Sequence, residues 1–244
     1  MSRARGGRAV RGSVLVMAKA PVAGQAKTRL AVGVGEAAAA DLAAAALLDT
    51  LAAGAAAYPA DRRVLALAGD LAEGARPDEL RLAADGWLVV PQRGRGFGER
   101  LVHGHREAHR LAGGPVVQVG MDTPQVTAAL LHEVAALSHA HDAPVLGPAD
   151  DGGWWVLVTT HPEQAEVLSS VPMSRADTGR LTAAALAGAG HRAVVGPALR
   201  DVDHVDDAHH VAASAPDTRF AGLWRRYAGA RALYPRAEVE ERRA

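Results

Sequence analysis

The sequence predicts a single α/β domain built on a mostly parallel, mixed sheet, and three observations carry that expectation. Short apolar runs alternate with helical segments along the whole chain. The first of them, VLVMA at 14–18, is apolar at every position, as in a strand buried on both faces of a parallel sheet. No linker, internal repeat or low-complexity block interrupts the alternation, which favours right-handed crossovers around one core.

After the first strand, MAKAPVAGQAKTRL (17–30) turns into a helix. Residues 36–57, EAAAADLAAAALLDTLAAGAAA, form a long helix rich in alanine, the best helix former, with Leu47, Leu48 and Leu51 as its core-facing stripe. RRVLALAG (62–69) is the second strand, followed by a Gly/Pro-broken segment containing RPDEL. WLVVPQ (87–92) is the third and ends in the glycine-rich RGRGFGER; residues 99–112 are helical. PVVQVGMD (115–122) is the fourth strand and TAALLHEVAALS (127–138) a helix. APVLGPA (143–149), GWWVLVTT (153–160) and HRAVVG (191–196) are further strands. An amphipathic helix near 217–234 closes the chain, and its Leu223, Trp224 and Tyr227 either cap the domain or pair two copies as a homodimer.

Composition narrows the function classes. The 244 residues are 49% hydrophobic and 22% charged, enough apolar residues for a packed core and too few charges for disorder. Lys and Arg together number 27, as do Asp and Glu, so the basic excess of a general nucleic-acid binder is missing. Cysteine is absent, which excludes disulfides, thiolate zinc sites and cysteine nucleophiles. No uninterrupted run of about 18 apolar residues occurs, so no membrane span is expected. The basic start MSRARGGRAVRG precedes an apolar run broken at Lys19, too short for a signal sequence. The expected organisation is a disordered basic tail at 1–12, one domain over 13–235, and a charged tail at 236–244, in a cytoplasmic enzyme.

In open parallel sheets, ligands gather beyond the carboxyl ends of the strands, and four places there carry chemistry. After the first strand come Pro21 and Gly24, then Lys27, Thr28 and Arg29 before a helix. Gly24 lets backbone N–H groups approach an anion, a helix N-terminus adds its dipole, and two full charges suit a polyphosphate; the alternative is a solvated basic turn. Asp122, at the tip of the fourth strand, suits Mg²⁺, which takes one or two carboxylates beside phosphate oxygens; the alternative is a helix cap, for which Thr123 or Gln125 is better placed. In LGPADDGGWWVLV (146–158), Asp151 accepts hydroxyl hydrogen bonds while Gly152 and Gly153 admit a sugar or base. That stretch also reads as a plain hairpin, and strand alternation lets only one of Trp154 and Trp155 face such a pocket. In LRDVDHVDD (199–207), Asp201 and Asp203 share a face. Asp203 is the candidate second metal ligand, helix capping being the alternative. The histidines, His105 and His109 among them, lack an HExxH pattern and are expected on a solvated face.

In this order, KAPVAGQAKTRL, QRGRGFGERL, VGMDTP, GPADDGGWWVL and RDVDHVDDA make the chain resemble the nucleotide-diphospho-sugar transferase superfamily. More narrowly it resembles the radical-SAM/selenodomain-associated transferase family of glycosyltransferase-like proteins. Its opening is similar to that of the 2-phospholactate guanylyltransferases. The resemblance implies a three-layer α/β/α glycosyltransferase-A fold. It implies a nucleotide seated on Ala18, Pro21, Gly24, Lys27 and Arg29, and on Gln92, Gly98 and Arg100 of the glycine-rich loop. Asp122 is then the metal residue for Mg²⁺ or Mn²⁺, with Gly152 and Gly153 shaping the pocket of a small-molecule acceptor. The segment VPMSRADTGR (171–180) departs from the family's Trp-Ser-Thr pattern, leaving Ser174, Arg175 and Thr178 as the acceptor-side candidates. Three functions fit: nucleotidyl transfer from a nucleoside triphosphate, glycosyl transfer from a nucleotide sugar with Asp151 as base, and nucleotide binding without turnover. Two cations in one loop match a triphosphate better than a diphosphate, which favours the first.

Overall fold

The computed structural model describes residues 12–233. The tails expected at 1–12 and 236–244 lie outside the described residues, save for Gly12. Seven strands follow the apolar runs: β1 (Ser13–Lys19), β2 (Arg63–Ala68), β3 (Leu88–Pro91), β4 (Val116–Val119), β5 (Val145–Pro148), β6 (Trp154–Thr159) and β7 (Val194–Val195). The helices between and after them are α1 (Thr28–Val34), α2 (Glu36–Ala57), α3 (Pro77–Ala83), α4 (Phe97–Ala112), α5 (Ala128–His141), α6 (Thr178–Gly188), α7 (Val205–Ser214) and α8 (Arg219–Leu233). A 3₁₀ helix spans Pro162–Ser170.

The strand order is β3-β2-β1-β4-β6-β5-β7. The chain starts in the middle at β1, winds outward through β2 and β3, then returns to place β4 on the other side of β1. That reversal opens a crevice above the ends of β1 and β4, where α/β sheets bind ligands. All neighbours are parallel except β6, which runs antiparallel to both β4 and β5. With β6 reversed, the turn at 149–153 lies at the same edge as the crevice.

Alternation in β1 divides the core. Val14, Val16 and Ala18 face a cluster with Leu47, Leu51, Leu80 and Leu131 from α2, α3 and α5. Leu15 and Met17 face the opposite cluster with Leu101, Ala108, Leu168 and Leu186 from α4, the 3₁₀ helix and α6. Helices therefore cover both faces, as the three-layer expectation requires.

Alanine lets α2 lie close to its neighbours on more than one side. One flank meets the sheet, and Ala39, Leu42 and Ala46 meet Phe220, Leu223 and Trp224 of α8. Among the described residues α2 is the helix long and apolar enough to cross a membrane, and it serves as a buried core helix. Of the residues singled out on α8, Leu223 and Trp224 are buried within the chain, and the Tyr227 hydroxyl donates to Asp41 Oδ2 at 3.1 Å. Through them the helix packs over the domain. The segment containing RPDEL forms α3, with Pro77 in its first turn, where a missing N–H costs nothing.

Candidate active site

The four stretches singled out in the sequence meet around one cleft of about 720 Å³, within the usual size range of small-molecule sites. Its polar centre is a hydrogen-bonded cluster. Lys27 Nζ donates to Asp122 Oδ2 at 3.0 Å and to Asp203 Oδ1 at 2.9 Å, and an Arg29 guanidinium N–H donates to Asp203 Oδ2 at 3.0 Å. The loop after β1, the end of β4 and the segment before α7 thus supply one group of charges, although 95 and 176 residues separate Lys27 from its two partners.

Local structure aims each group. Lys27 sits immediately before α1 with left-handed backbone angles, φ 48° and ψ 48°. That region costs an L-residue roughly 1–2 kcal/mol, and the two carboxylate contacts of the side chain oppose the cost. Helix α1 has only seven residues, so the dipole expected to assist anion binding is minor and the charges come from side chains. Asp201 and Asp203 flank the buried Val202, and the Val202 N–H donates to the Asp122 carbonyl at 3.0 Å, joining the two acidic segments directly. Asp207 Oδ2 accepts from the N–H groups of Asp203 (3.2 Å) and His204 (2.8 Å), so α7 is capped by a box of His204 and Asp207 and Asp203 is left to the cleft. The cap of α5 is Thr127, not Asp122, Thr123 or Gln125.

The electrostatics follow from crowding. Burial works against the Lys27 charge, yet Asp122 and Asp203 hold its pKa above the ordinary lysine range. Burial likewise acts to raise the Asp203 carboxyl, but Lys27 and Arg29 hold it below its usual value. Asp201 is pushed up to about 7 by burial and by the neighbouring carboxylates of Asp122, Asp151 and Asp203. Asp122, Asp201 and Asp203 each offer an oxygen, all within 4.8 Å of one another. Such a set of hard oxygen donors, with an ammonium already drawn between two of them, fits a Mg²⁺ or Mn²⁺ ion. Asp203 was anticipated as a candidate ligand, and Asp201, which joins it in this cluster, was not; the signal was its spacing of two from Asp203 in an extended segment.

Of the remaining sequence candidates, Ala18, Gln92, Arg100, Asp151 and Gly153 line the cleft with this cluster, as does Lys19, which the motifs did not single out. Gln92 donates through Nε2 to the carbonyls of Ala18 (2.8 Å) and Ala66 (2.9 Å) and so ties the ends of β1 and β2 together. Four glycine and proline positions stand behind the cleft. Pro21 packs on Gly74, and Gly24 lies beside the Glu36 carboxylate. A Cβ on Gly98 would meet the Leu168 carbonyl oxygen at 2.1 Å, and one on Gly152 the Ala176 oxygen at 1.9 Å. Both are bare because the chain's own backbone approaches them, not a ligand. Asp151 Oδ1 accepts from the Gly153 N–H at 2.7 Å and shapes the turn. Trp154 and Trp155 do enter opposite core layers, but both reach the cleft, since they start the strand at its open edge. Ser174, Arg175 and Thr178 also line it.

His204, His209 and His210 are exposed as expected, but His105 and His109 do not lie on a solvated face. His105 is fully buried, with Nδ1 3.0 Å from the Thr159 hydroxyl, and His109 Nε2 lies 3.0 Å from the same oxygen. Burial, reinforced by His109, brings the His105 pKa down to about 3; burial and His161 bring His109 down to about 4. The unfolded chain takes up these protons near pH 6.5 and the folded chain does not, so their contribution to stability is complete above that pH and is lost as pH falls toward 3. For His105 alone the loss approaches about 4 kcal/mol. Asp201, raised to about 7, acts in the opposite sense, favouring the fold as pH drops from 7 toward 4. The comparison that isolates the histidine is urea unfolding of wild type and His105→Gln between pH 7.5 and 4.5. The wild type should lose more stability than the variant across that range, and equal losses would contradict the assignment.

A family model described as "Uncharacterized protein conserved in bacteria (DUF2064)" matches residues 50–175, just over half of the chain. No curated protein matches it. Among solved structures, the chain is similar to a provisionally named nucleotide-diphospho-sugar transferase from Desulfovibrio desulfuricans G20. The two are 23% identical, with 91% of this chain and 97% of that one covered and a TM-score of 0.77. It is also similar to CMP:2-keto-3-deoxy-manno-octonic acid synthetase complexed with CTP, at 11% identity, 84% and 99% coverage and a TM-score of 0.48. The first likeness establishes the nucleotide-diphospho-sugar transferase fold.

Proposed function

The chain belongs to the uncharacterized bacterial family DUF2064, and from its site we propose a metal-dependent transferase that moves a nucleotidyl group from a nucleoside triphosphate to a phosphorylated small molecule. One observation carries this reading: Lys27, Arg29, Asp122 and Asp203 form a single hydrogen-bonded cluster at the crevice between β1 and β4. An acceptor phosphate oxygen bonds to the α-phosphorus, the bond from that phosphorus to the bridging oxygen breaks, and pyrophosphate leaves with the electron pair. The acceptor phosphate is already anionic, so no general base is needed.

The leaving group is densely charged, and stabilising that charge is the main task. Arg29, more than half exposed, is free to turn from Asp203 toward a phosphate, and Lys27 stands beside it. Asp122, Asp201 and Asp203 are the residues that would hold Mg²⁺, which would supply positive charge to the phosphate oxygens. Ala18 and Gln92 offer the floor on which the nucleoside rests. Asp151, Gly153 and the 173–178 segment bound the acceptor's share of the cleft.

The test is incubation with labelled nucleoside triphosphates, Mg²⁺ and a panel of sugar phosphates. Pyrophosphate release that requires both Mg²⁺ and a phosphorylated acceptor is the expected outcome. Release of a nucleoside diphosphate from a nucleotide sugar would replace it with glycosyl transfer, with Asp151 as base. Tight nucleotide binding with neither product would make the chain a binding module.

A further inference from the structure

Only two of the chain's 27 Lys and Arg residues are lysines, Lys19 and Lys27, and both lie at this cleft. Everywhere else a cation is required, the chain uses arginine, whose planar fork suits paired contacts. An ammonium differs in being a compact, strongly hydrated point charge with freely rotating donors, the side chain that most resembles a small inorganic cation. Lys19 is exposed and donates to the Gln25 carbonyl at 3.2 Å. Lys27, by contrast, is placed with its side chain only 12% exposed, between oxygens of Asp122 and Asp203. Those are two of the three carboxylates whose oxygens cluster within 4.8 Å.

We propose that Lys27 is the resident counter-ion of the carboxylate cluster, occupying the place of the divalent metal until the metal arrives and then being displaced from it. Lys27 already engages one oxygen each of Asp122 and Asp203, and a dication drawn to the same carboxylates repels the ammonium twice as strongly as a unit charge would at that distance. The left-handed backbone of Lys27 is a strained posture, and its contacts with the two carboxylates offset that cost. Displacement leaves the ammonium facing the cleft, where the phosphates of the nucleotide lie under the function proposed above. Metal binding therefore prepares the anion site, and metal-free protein shields its own acidic residues. The inference rests on the metal-dependent reading and adds the exchange of one cation for another.

The experiment uses the full chain without nucleotide and two readouts other than activity. Mn²⁺ binding followed by electron paramagnetic resonance should be tighter for Lys27→Met than for wild type by about tenfold, the effect of removing a competing ion pair. In wild-type protein carrying ¹³C-labelled lysine, only two side chains report. Relaxation of the ε-carbons should show Lys27 rigid and Lys19 mobile without metal, with Lys27 becoming mobile on saturation with Mg²⁺. Because the second measurement is made on wild type, it stands even if Lys27→Met folds poorly. Metal binding with Lys27 still rigid overturns the displacement while leaving the metal-dependent reading intact. Failure of both proteins to bind Mn²⁺, with or without a nucleoside triphosphate, overturns both. Equal Mn²⁺ affinity in a folded Lys27→Met also overturns the exchange.

Discussion

Replacing Asp122 by Asn is expected to lower the rate of Mg²⁺-dependent turnover by about three orders of magnitude, with little change in melting temperature. Asp122 is a third exposed, lies just beyond the end of β4, and supports no helix cap. Its backbone carbonyl, which holds Val202, is untouched by the change. Asn keeps the shape and one acceptor oxygen but removes the charge a metal needs from its ligand. In the folded variant Lys27 still pairs with Asp203, so the cluster is weakened without leaving a buried ammonium alone. The measurement is pyrophosphate release alongside thermal unfolding. A variant that turns over at the wild-type rate in Mg²⁺ would remove Asp122 from the metal site and with it the basis of the proposed chemistry.

The second large effect concerns Gly152. Its φ is +87°, a region that L-residues rarely adopt, and an added Cβ would sit 1.9 Å from the Ala176 carbonyl oxygen. The Gly152 carbonyl in turn accepts the Gly179 N–H at 2.9 Å, so the turn before β6 and the start of α6 are stitched together at this residue. Gly152→Ala must push the 172–177 segment outward, and that segment forms one wall of the cleft. The expected loss is about 2–4 kcal/mol in urea unfolding, together with a raised KM for the acceptor and a smaller change for the nucleotide. Gly153→Ala is the control for stability alone, since its Cβ meets the movable carboxylate of Asp151 rather than backbone. A Gly152→Ala protein as stable as wild type would mean that the segment yields freely.

The sheet was legible because its strands are short apolar runs, a pattern that survives without any knowledge of partners. All seven runs became strands: β1 gains a residue at each end of its run and the other six are shortened, the run expected at 115–122 pairing only over Val116–Val119. The direction of β6 has no local signature, because an apolar strand looks the same whichever way it runs. Helix α3 escaped notice because seven residues are too few to display a period. His105 was misplaced for a different reason: its charged neighbours were weighed above its register. Leu101, His105, Ala108 and Ala112 fall on one face of α4 and all four are buried. At the site, charged residues after strand ends announced themselves by type. What chain order cannot show is that Lys27 would be held by two carboxylates, or that Gly98 and Gly152 face backbone.

The hydrogen bond from Val202 to the Asp122 carbonyl makes the acidic residues parts of one stiff frame instead of two independent arms. Under the proposed function, an ion drawn to these carboxylates would meet two acidic segments tied to each other at the backbone, and movement of one would carry the other with it.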